Sequence, residues 1–205
     1  MTKINTKRAK QHLSQDSKLS NIIKKLDPLD LPPSGEVFNE LVKAIAYQQI
    51  SYKAADTIYG RFLELIESEN FAPEEVLSLK HTELRAVGFS TRKAEYVKNI
   101  ADFFLEEKLI GVDWSKFSDL EIIKLLSQIK GVGEWTVEMM LIFQLKRPDI
   151  FPLKDLGIQQ AVKGIYGLEL EGKALISEMN DLATKWVPYR TLASLYLWSW
   201  KRANP

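Results

Sequence analysis

The chain has 205 residues, 45% of them hydrophobic and 27% charged, the proportions of a soluble globular protein long enough to bury a core without staples. It has no cysteine and only two histidines, His12 and His81, so disulfides, thiolate catalysis, Cys-ligated zinc and iron–sulfur clusters are excluded and a transition-metal site is disfavoured. The net charge is +1, but it is unevenly spread: residues 1–25 carry +6, with Asp16 as their single acid, and the remainder carries −5.

Taken in chain order, the first segment, Met1 to Lys10, has no apolar run and is not a secretory signal. No later run reaches transmembrane length. The basic stretch 1–25 reads either as an arm that adds phosphate affinity or as a solvated tail. After a break at Pro28 to Gly35, Val37, Leu41, Ala44 and Ile45 repeat at helical spacing. That helix ends at Gln48-Gln49-Ile50-Ser51. Ile58, Phe62, Leu65 and Ile66 mark the next helix. Pro73, followed by Glu74 and Glu75, suits a helix start. Gly88 interrupts the pattern, and Thr91, Arg92 and Lys93 open a helix over 91–107. After a break at Gly111 to Trp114, Ser118 and Glu121 form a capping box ahead of Ile122, Ile123, Leu125 and Leu126. Helices over 134–146, 158–166, 171–184 and 189–201 follow, with a break at Arg147 to Lys154. No segment alternates like a strand, so the predicted class is all-α.

The sharpest local motif is Leu126-Ser127-Gln128-Ile129-Lys130-Gly131-Val132-Gly133-Glu134-Trp135-Thr136-Val137. One apolar helix ends and another begins across Gly-Val-Gly. Glycines allow unusual backbone conformations and clear side chains from the approach surface. Amides at the head of the second helix then offer a phosphate site, with Lys130 adding a charge and Thr136 a hydroxyl. The alternative is a tight helix–helix turn and nothing more. The segment Leu84 to Phe89, with the basic helix start after it, is a weak internal echo of Leu126 to Trp135.

Downstream, Asp155 lies in the Pro-containing loop Ile150-Phe151-Pro152-Leu153-Lys154-Asp155-Leu156-Gly157-Ile158. Just ahead of a helix, an aspartate either caps the helix or serves chemistry. The two roles are compatible, one oxygen capping while the other faces a ligand. Near the end stands Trp186-Val187-Pro188-Tyr189-Arg190-Thr191-Leu192-Ala193.

These four segments, in this order and over about residues 40–200, resemble the helix-hairpin-helix DNA glycosylases with a Gly/Pro-rich loop and a distal catalytic aspartate. The nearest likeness is to the alkylbase, or 3-methyladenine type II, glycosylases. The resemblance implies two helical subdomains with a cleft between them. One spans 37–147 and contains the hairpin at about 122–146. The other combines 1–36 with 148–205 and carries Asp155 at the cleft. The implied function is base excision repair: hydrolysis of the N-glycosidic bond of alkylated bases of the 3-methyladenine or 7-methylguanine type, flipped from duplex DNA. Such cleavage passes through an oxocarbenium-like sugar, which an anion stabilises. A cationic alkylated purine leaves without a strong general acid. Relatives that also cut the strand carry a nucleophilic Lys where this chain has Trp135, so hydrolysis alone is expected.

The resemblance further implies an aromatic base pocket drawn from Trp135, Tyr189, Trp186, Tyr47 and Phe151, although core packing competes for each. Gln48 and Gln49 match the segment that fills the gap left by the base, unless they simply end a helix. Thr91, Lys93, Lys130, Gly131, Val132, Gly133 and Thr136 are the remaining DNA-binding candidates. Arg190 joins them, unless it pairs with a buried acid. Carbonyls of Ser127, Ile129 and Val132 match a monovalent cation site, Na+ or K+; no other cofactor is expected. The partner is damaged double-stranded DNA, approached by a monomer in the cytoplasm (or a nucleus), with no membrane involved. The rival readings are a non-catalytic helix-hairpin-helix DNA-binding protein, a glycosylase with another lesion specificity, and a purely structural helical protein.

Overall fold

A computed structural model describes residues 6–205; the first five residues of the basic segment, Lys3 among them, lie outside the described residues. There are twelve α-helices among the described residues: α1 (Thr6–Leu13), α2 (Ser17–Ile23), α3 (Val37–Tyr47), α4 (Tyr52–Ile66), α5 (Pro73–Ser78), α6 (His81–Ala86), α7 (Thr91–Glu106), α8 (Asp119–Leu126), α9 (Glu134–Phe143), α10 (Leu156–Tyr166), α11 (Gly172–Thr184) and α12 (Arg190–Ala203). A 3₁₀ turn at Trp114–Lys116 precedes α8. The chain is all-α, and no helix is long and apolar enough to cross a membrane among the described residues.

The helices form two compact units. One is Ser34–Met140; the other joins the residues up to Pro33 with Leu141–Pro205, the division falling inside α9. Local chemistry sets the helix starts of the first unit. Pro73 occupies the opening turn of α5, and the Glu75 carboxylate accepts from the Ala72 N–H at 2.6 Å. The Ser118 box is formed, with Ser118 N–H to Glu121 Oε2 at 2.7 Å and Glu121 N–H to Ser118 Oγ at 3.3 Å. Five phenylalanines make the centre of this unit: Phe38 on Phe71 and Phe104, and Phe62 on Phe71 and Phe89. Each fully buried ring contributes about 2–3 kcal/mol. Around it α3 packs on α4 and α7, and α7 on α5 and α6.

In the other unit α10 packs on α12 and α2 on α12. Gly164 makes the first contact close, since a Cβ there would stand 2.4 Å from Trp200 Cη2. The described part of the basic segment, from Thr6 on, is folded into helices. Its α1 and α2 bury Ala9, Leu13, Leu19 and Ile22, and Asp16 caps α2 through its own carboxylate. Some predicted boundaries shift. The helix expected over 134–146 stops at Phe143, and the Arg147 N–H turns back to Leu141 O at 2.9 Å. The helix expected from 158 starts at Leu156, because Asp155 caps it.

Candidate functional site

The Gly-Val-Gly turn divides its two glycines by role. Gly131 has φ +103°, open to glycine only, and a Cβ there would stand 2.3 Å from Tyr96 Cγ; the fold itself requires this glycine. Gly133 has ordinary φ, and a Cβ on it would meet nothing within 4 Å. Its bareness serves no internal packing and keeps the approach to the head of α9 open. The Val132 N–H, a sequence candidate for phosphate, donates instead to Ile129 O at 2.9 Å, and Val132 is buried. Thr136 is buried too, so its hydroxyl does not reach the surface. Lys130 is exposed and paired with Glu95 at 2.6 Å. That hydrogen bond and the Glu95 charge raise its pKa, so the cation persists, partly neutralised. The outward amides of the turn therefore begin at Gly133, backed by the positive end of α9.

The echo at Gly88 is real in the backbone, with φ +113° there, but it is differently used. Ser90 Oγ accepts the Lys93 N–H at 3.1 Å, and Lys93 Nζ donates to Ala46 O at 2.9 Å, at the end of α3. Burial lowers the Lys93 pKa. The Lys93 amine is a helix-end cap and not an outward cation; Thr91 remains exposed.

Between α3 and α4, Gln48 caps the end of α3, Gln49 stands exposed at φ +57°, and Ser51 caps α4. Gln48 is not free to enter a ligand, since its Nε2 donates to Gly131 O at 3.2 Å. Of the five pocket aromatics, Trp135 is 45% exposed, Tyr47 and Tyr189 are half-buried, and Phe151 and Trp186 are buried. Tyr47 donates its hydroxyl to Asp56; burial first, then this bond and the charges of Asp56 and Glu40, push its pKa up to about 12. Trp186 presents no face. Its ring is wholly enclosed, edge-on to Phe151 at 5.2 Å, and its Nε1–H donates to Asp16 Oδ2 at 3.2 Å. Trp186 and Phe151 are core, the alternative that the sequence reading set beside the pocket for each of these aromatics.

The loop bearing Asp155 and the segment at 186–194 are stitched together. Arg190 makes a bidentate pair with Asp149, both bonds at 2.8 Å, so the acid-pairing alternative for Arg190 is the one realised. Thr191 Oγ1 accepts the Ile150 N–H at 3.0 Å and donates to Arg147 O at 2.6 Å. Asp155 itself is half-buried at the head of α10. Its Oδ1 accepts the Ile158 N–H at 2.9 Å and Trp198 Nε1–H at 2.9 Å, and Phe143 stacks on that indole at 5.6 Å. The carboxylate is thus both a cap and a group held in one orientation by a tryptophan. Trp198 lies outside the four motif segments, and its bond to Asp155 is a role that the motifs do not announce. Nor do they announce His12, which stands edge-on to Tyr189 at 5.4 Å with Nε2 on Lys185 O.

Folding leaves one large apolar side chain in water in each of the four motif segments: Ile50 at 38%, Trp135 at 45%, Leu156 at 66% and Val187 at 43% exposed. Tyr52, just past the first segment, is 81% exposed. No group of three His, Asp or Glu that could hold a metal ion occurs among the described residues.

An all-helical frame with a glycine turn at one helix head and an oriented carboxylate capping another fits the class of helix-hairpin-helix proteins. Residues 42–188 match the HhH-GPD superfamily base excision DNA repair protein, and the chain belongs to that family. It is 36% identical over 166 residues to DNA-3-methyladenine glycosylase 1 of Schizosaccharomyces pombe, covering 80% of this chain and 72% of the relative. The crystal structure of a DNA-3-methyladenine glycosidase from Bacillus halodurans superposes with a TM-score of 0.82 at 34% identity, over 94% of this chain and 88% of that one. A Schizosaccharomyces pombe 3-methyladenine DNA glycosylase in complex with abasic DNA superposes with a TM-score of 0.77 at 34% identity, over 93% and 95%.

Proposed function

We propose that the chain is a monofunctional DNA glycosylase that flips an alkylated base, of the 3-methyladenine or 7-methylguanine type, from duplex DNA and hydrolyses its N-glycosidic bond. The observation that carries this reading is the setting of Asp155, a carboxylate fixed by Ile158 N–H and Trp198 Nε1–H on a segment matched by the family. In the proposed reaction the carboxylate faces the sugar and stabilises the positive charge that grows as the base departs. It also orients the attacking water. Tyr189, in the same unit as Asp155, offers cation–π contact to a cationic base. Trp135 cannot form a Schiff base, so the product is an intact strand with an abasic site. Relatives named for 3-methyladenine, one of them bound to abasic DNA, support the substrate class.

The amides from Gly133 onward take a phosphate, and Gln49 fills the space left in the stack. The carbonyls of Ser127, Ile129 and Val132 are hard neutral oxygens suited to Na+ or K+. Ile129 O already accepts the Val132 N–H, and its second lone pair remains available for an ion. A bound cation would add positive charge beside the phosphate.

Incubation with methylated duplex DNA is expected to release methylated bases and to leave sites that break only after alkali. Breaks without alkali would refute hydrolysis alone, and release from uracil or oxidised-purine duplexes but not methylated ones would shift the specificity. Replacing Na+ and K+ by a bulky organic cation at equal ionic strength should weaken DNA binding; unchanged binding would sink the cation site.

The two glycines give a sharper test of the hairpin. Gly131→Ala forces a Cβ into Tyr96 at a forbidden φ and should cost about 3 kcal/mol of stability. Gly133→Ala should cost under about 1 kcal/mol yet weaken duplex binding about tenfold, as one charge-assisted bond is lost. Equal effects on unfolding and binding for both variants would show that Gly133 is merely part of a turn.

A further inference from the structure

Gln48 falls in the segment that sequence reading assigns to contact with DNA, yet its side chain is turned inward. We propose that Gln48 is a positioning residue, a latch that ties the Gln49 loop to the hairpin so that gap filling and phosphate binding act as one element. The inference rests on the glycosylase reading for its functional part and on this unit's own geometry for its structural part.

Three observations converge on it. First, Gln49 is a non-glycine residue at φ +57°, a conformation that costs about 1 kcal/mol and persists only where its surroundings enforce it. Secondly, the residues just before it are held from outside the helix. Lys93 Nζ donates to Ala46 O at 2.9 Å, and Gln48 Nε2 to Gly131 O at 3.2 Å. Thirdly, the peptide group joining Gly131 to Val132 is engaged at both ends: its oxygen accepts from Gln48 and its N–H donates to Ile129 O at 2.9 Å. That peptide immediately precedes Gly133, where the outward amides begin. The side chain of Gln48 therefore sets the orientation of the hairpin backbone on one side and the projection of Gln49 on the other.

Helix α7 is the common support. Tyr96 lies against Gly131, Asn99 Nδ2 donates to Lys130 O at 3.4 Å, Glu95 pairs with Lys130, and Lys93 reaches Ala46. One rigid helix thus backs both the loop and the hairpin, and Gln48 closes the remaining side. Without the Gln48 amide the two segments would still be attached to α7 but would lose this hydrogen bond between them.

The test is Gln48→Met, which keeps the length and removes the donor. Hydrogen exchange on the protein alone should quicken at Gln49 to Tyr52 and at Gly131 to Trp135 together, with α5 and α6 unaffected. Unchanged exchange at either segment overturns the latch whether or not the protein acts on DNA. On a duplex bearing a single alkylated base, single-turnover excision by Gln48→Met should fall about five- to tenfold, the loss of one hydrogen bond. Gln49→Ala should fall further, and the double variant Gln48→Met/Gln49→Ala should lose clearly less than the product of the two single losses, because part of the Gln48 effect runs through Gln49. Losses that multiply in the double variant would mean that Gln48 meets DNA itself, and would overturn the proposal. If the wild-type protein excises nothing while the paired exchange response appears, the glycosylase reading fails and the latch stands as a structural element.

Discussion

Asp155→Asn is expected to lower excision of an alkylated base by at least about a hundredfold while the protein remains folded and bound to DNA. This side chain holds a helix head and carries a charge. As the cap of α10, Oδ1 accepts the Ile158 N–H, and the same oxygen accepts Trp198 Nε1–H. Asparagine keeps a carbonyl oxygen for both bonds and ranks with aspartate as a cap, so unfolding free energy should change by no more than about 0.5 kcal/mol. What asparagine lacks is the negative charge that the proposed reaction sets opposite the sugar. Asp155→Ala removes the cap and leaves the indole N–H unpaired, and should cost about 2 kcal/mol of stability besides activity. Trp198→Phe gives the complementary case: the charge remains but its orientation loosens, so excision should fall while the cap is retained. Single-turnover excision measured beside urea unfolding separates the effects. Asp155→Asn excising within about tenfold of wild type would remove the carboxylate from the mechanism.

The parts of this protein that are written locally could be read from its sequence. The capping box at Ser118 and Glu121, the proline start at Pro73 and the Gly-Val-Gly break all depend on neighbours within four residues, and each takes the expected form. The cap at Asp155 was legible for the same reason. Features decided by distant partners were not. The N-terminal helices each offer the core only a single pair of apolar residues, Ala9 with Leu13 and Leu19 with Ile22; no periodic pattern can emerge from one pair, and the helices are held by tertiary packing, α2 on α12 and α1 on α2. Trp186 belongs to a motif but is drawn into the core by an aspartate 170 residues away. Lys93 has the charge of a phosphate ligand and spends it on the end of α3. Gln48 is turned inward by a carbonyl 83 positions later. Residue type announced these side chains as polar; only the fold decided whether the polar atom meets solvent or backbone.

Asp16→Ala should be among the most destabilising single changes in the molecule, about 3 kcal/mol. The lone acid of the basic segment accepts four hydrogen bonds. Oδ1 takes the N–H groups of Lys18 and Leu19 at 2.9 and 3.1 Å, and Oδ2 takes Tyr166 OH at 2.6 Å and Trp186 Nε1–H at 3.2 Å. Alanine removes a cap worth about 1 kcal/mol and leaves part-buried donors on Tyr166 and Trp186 unpaired, at about 1 kcal/mol or more each. Burial alone would push the Asp16 carboxyl up, but the bonds from Tyr166, Leu19, Trp186 and Lys18 outweigh it and hold the pKa below the usual carboxylate value. A depressed folded-state pKa fixes the sign: the stabilisation is complete above the unfolded pKa of about 4 and disappears as pH falls through the lower folded value. The gap between wild type and Asp16→Asn should therefore be widest near neutrality and close as pH falls below about 4. Asparagine can still cap α2, so its deficit isolates the contact of Oδ2 with Tyr166 and Trp186. Urea unfolding of the two proteins across that pH range decides the point. A gap that stays constant down to acid pH would mean that the charge of Asp16 contributes nothing, and that the network holds Trp186 by shape alone.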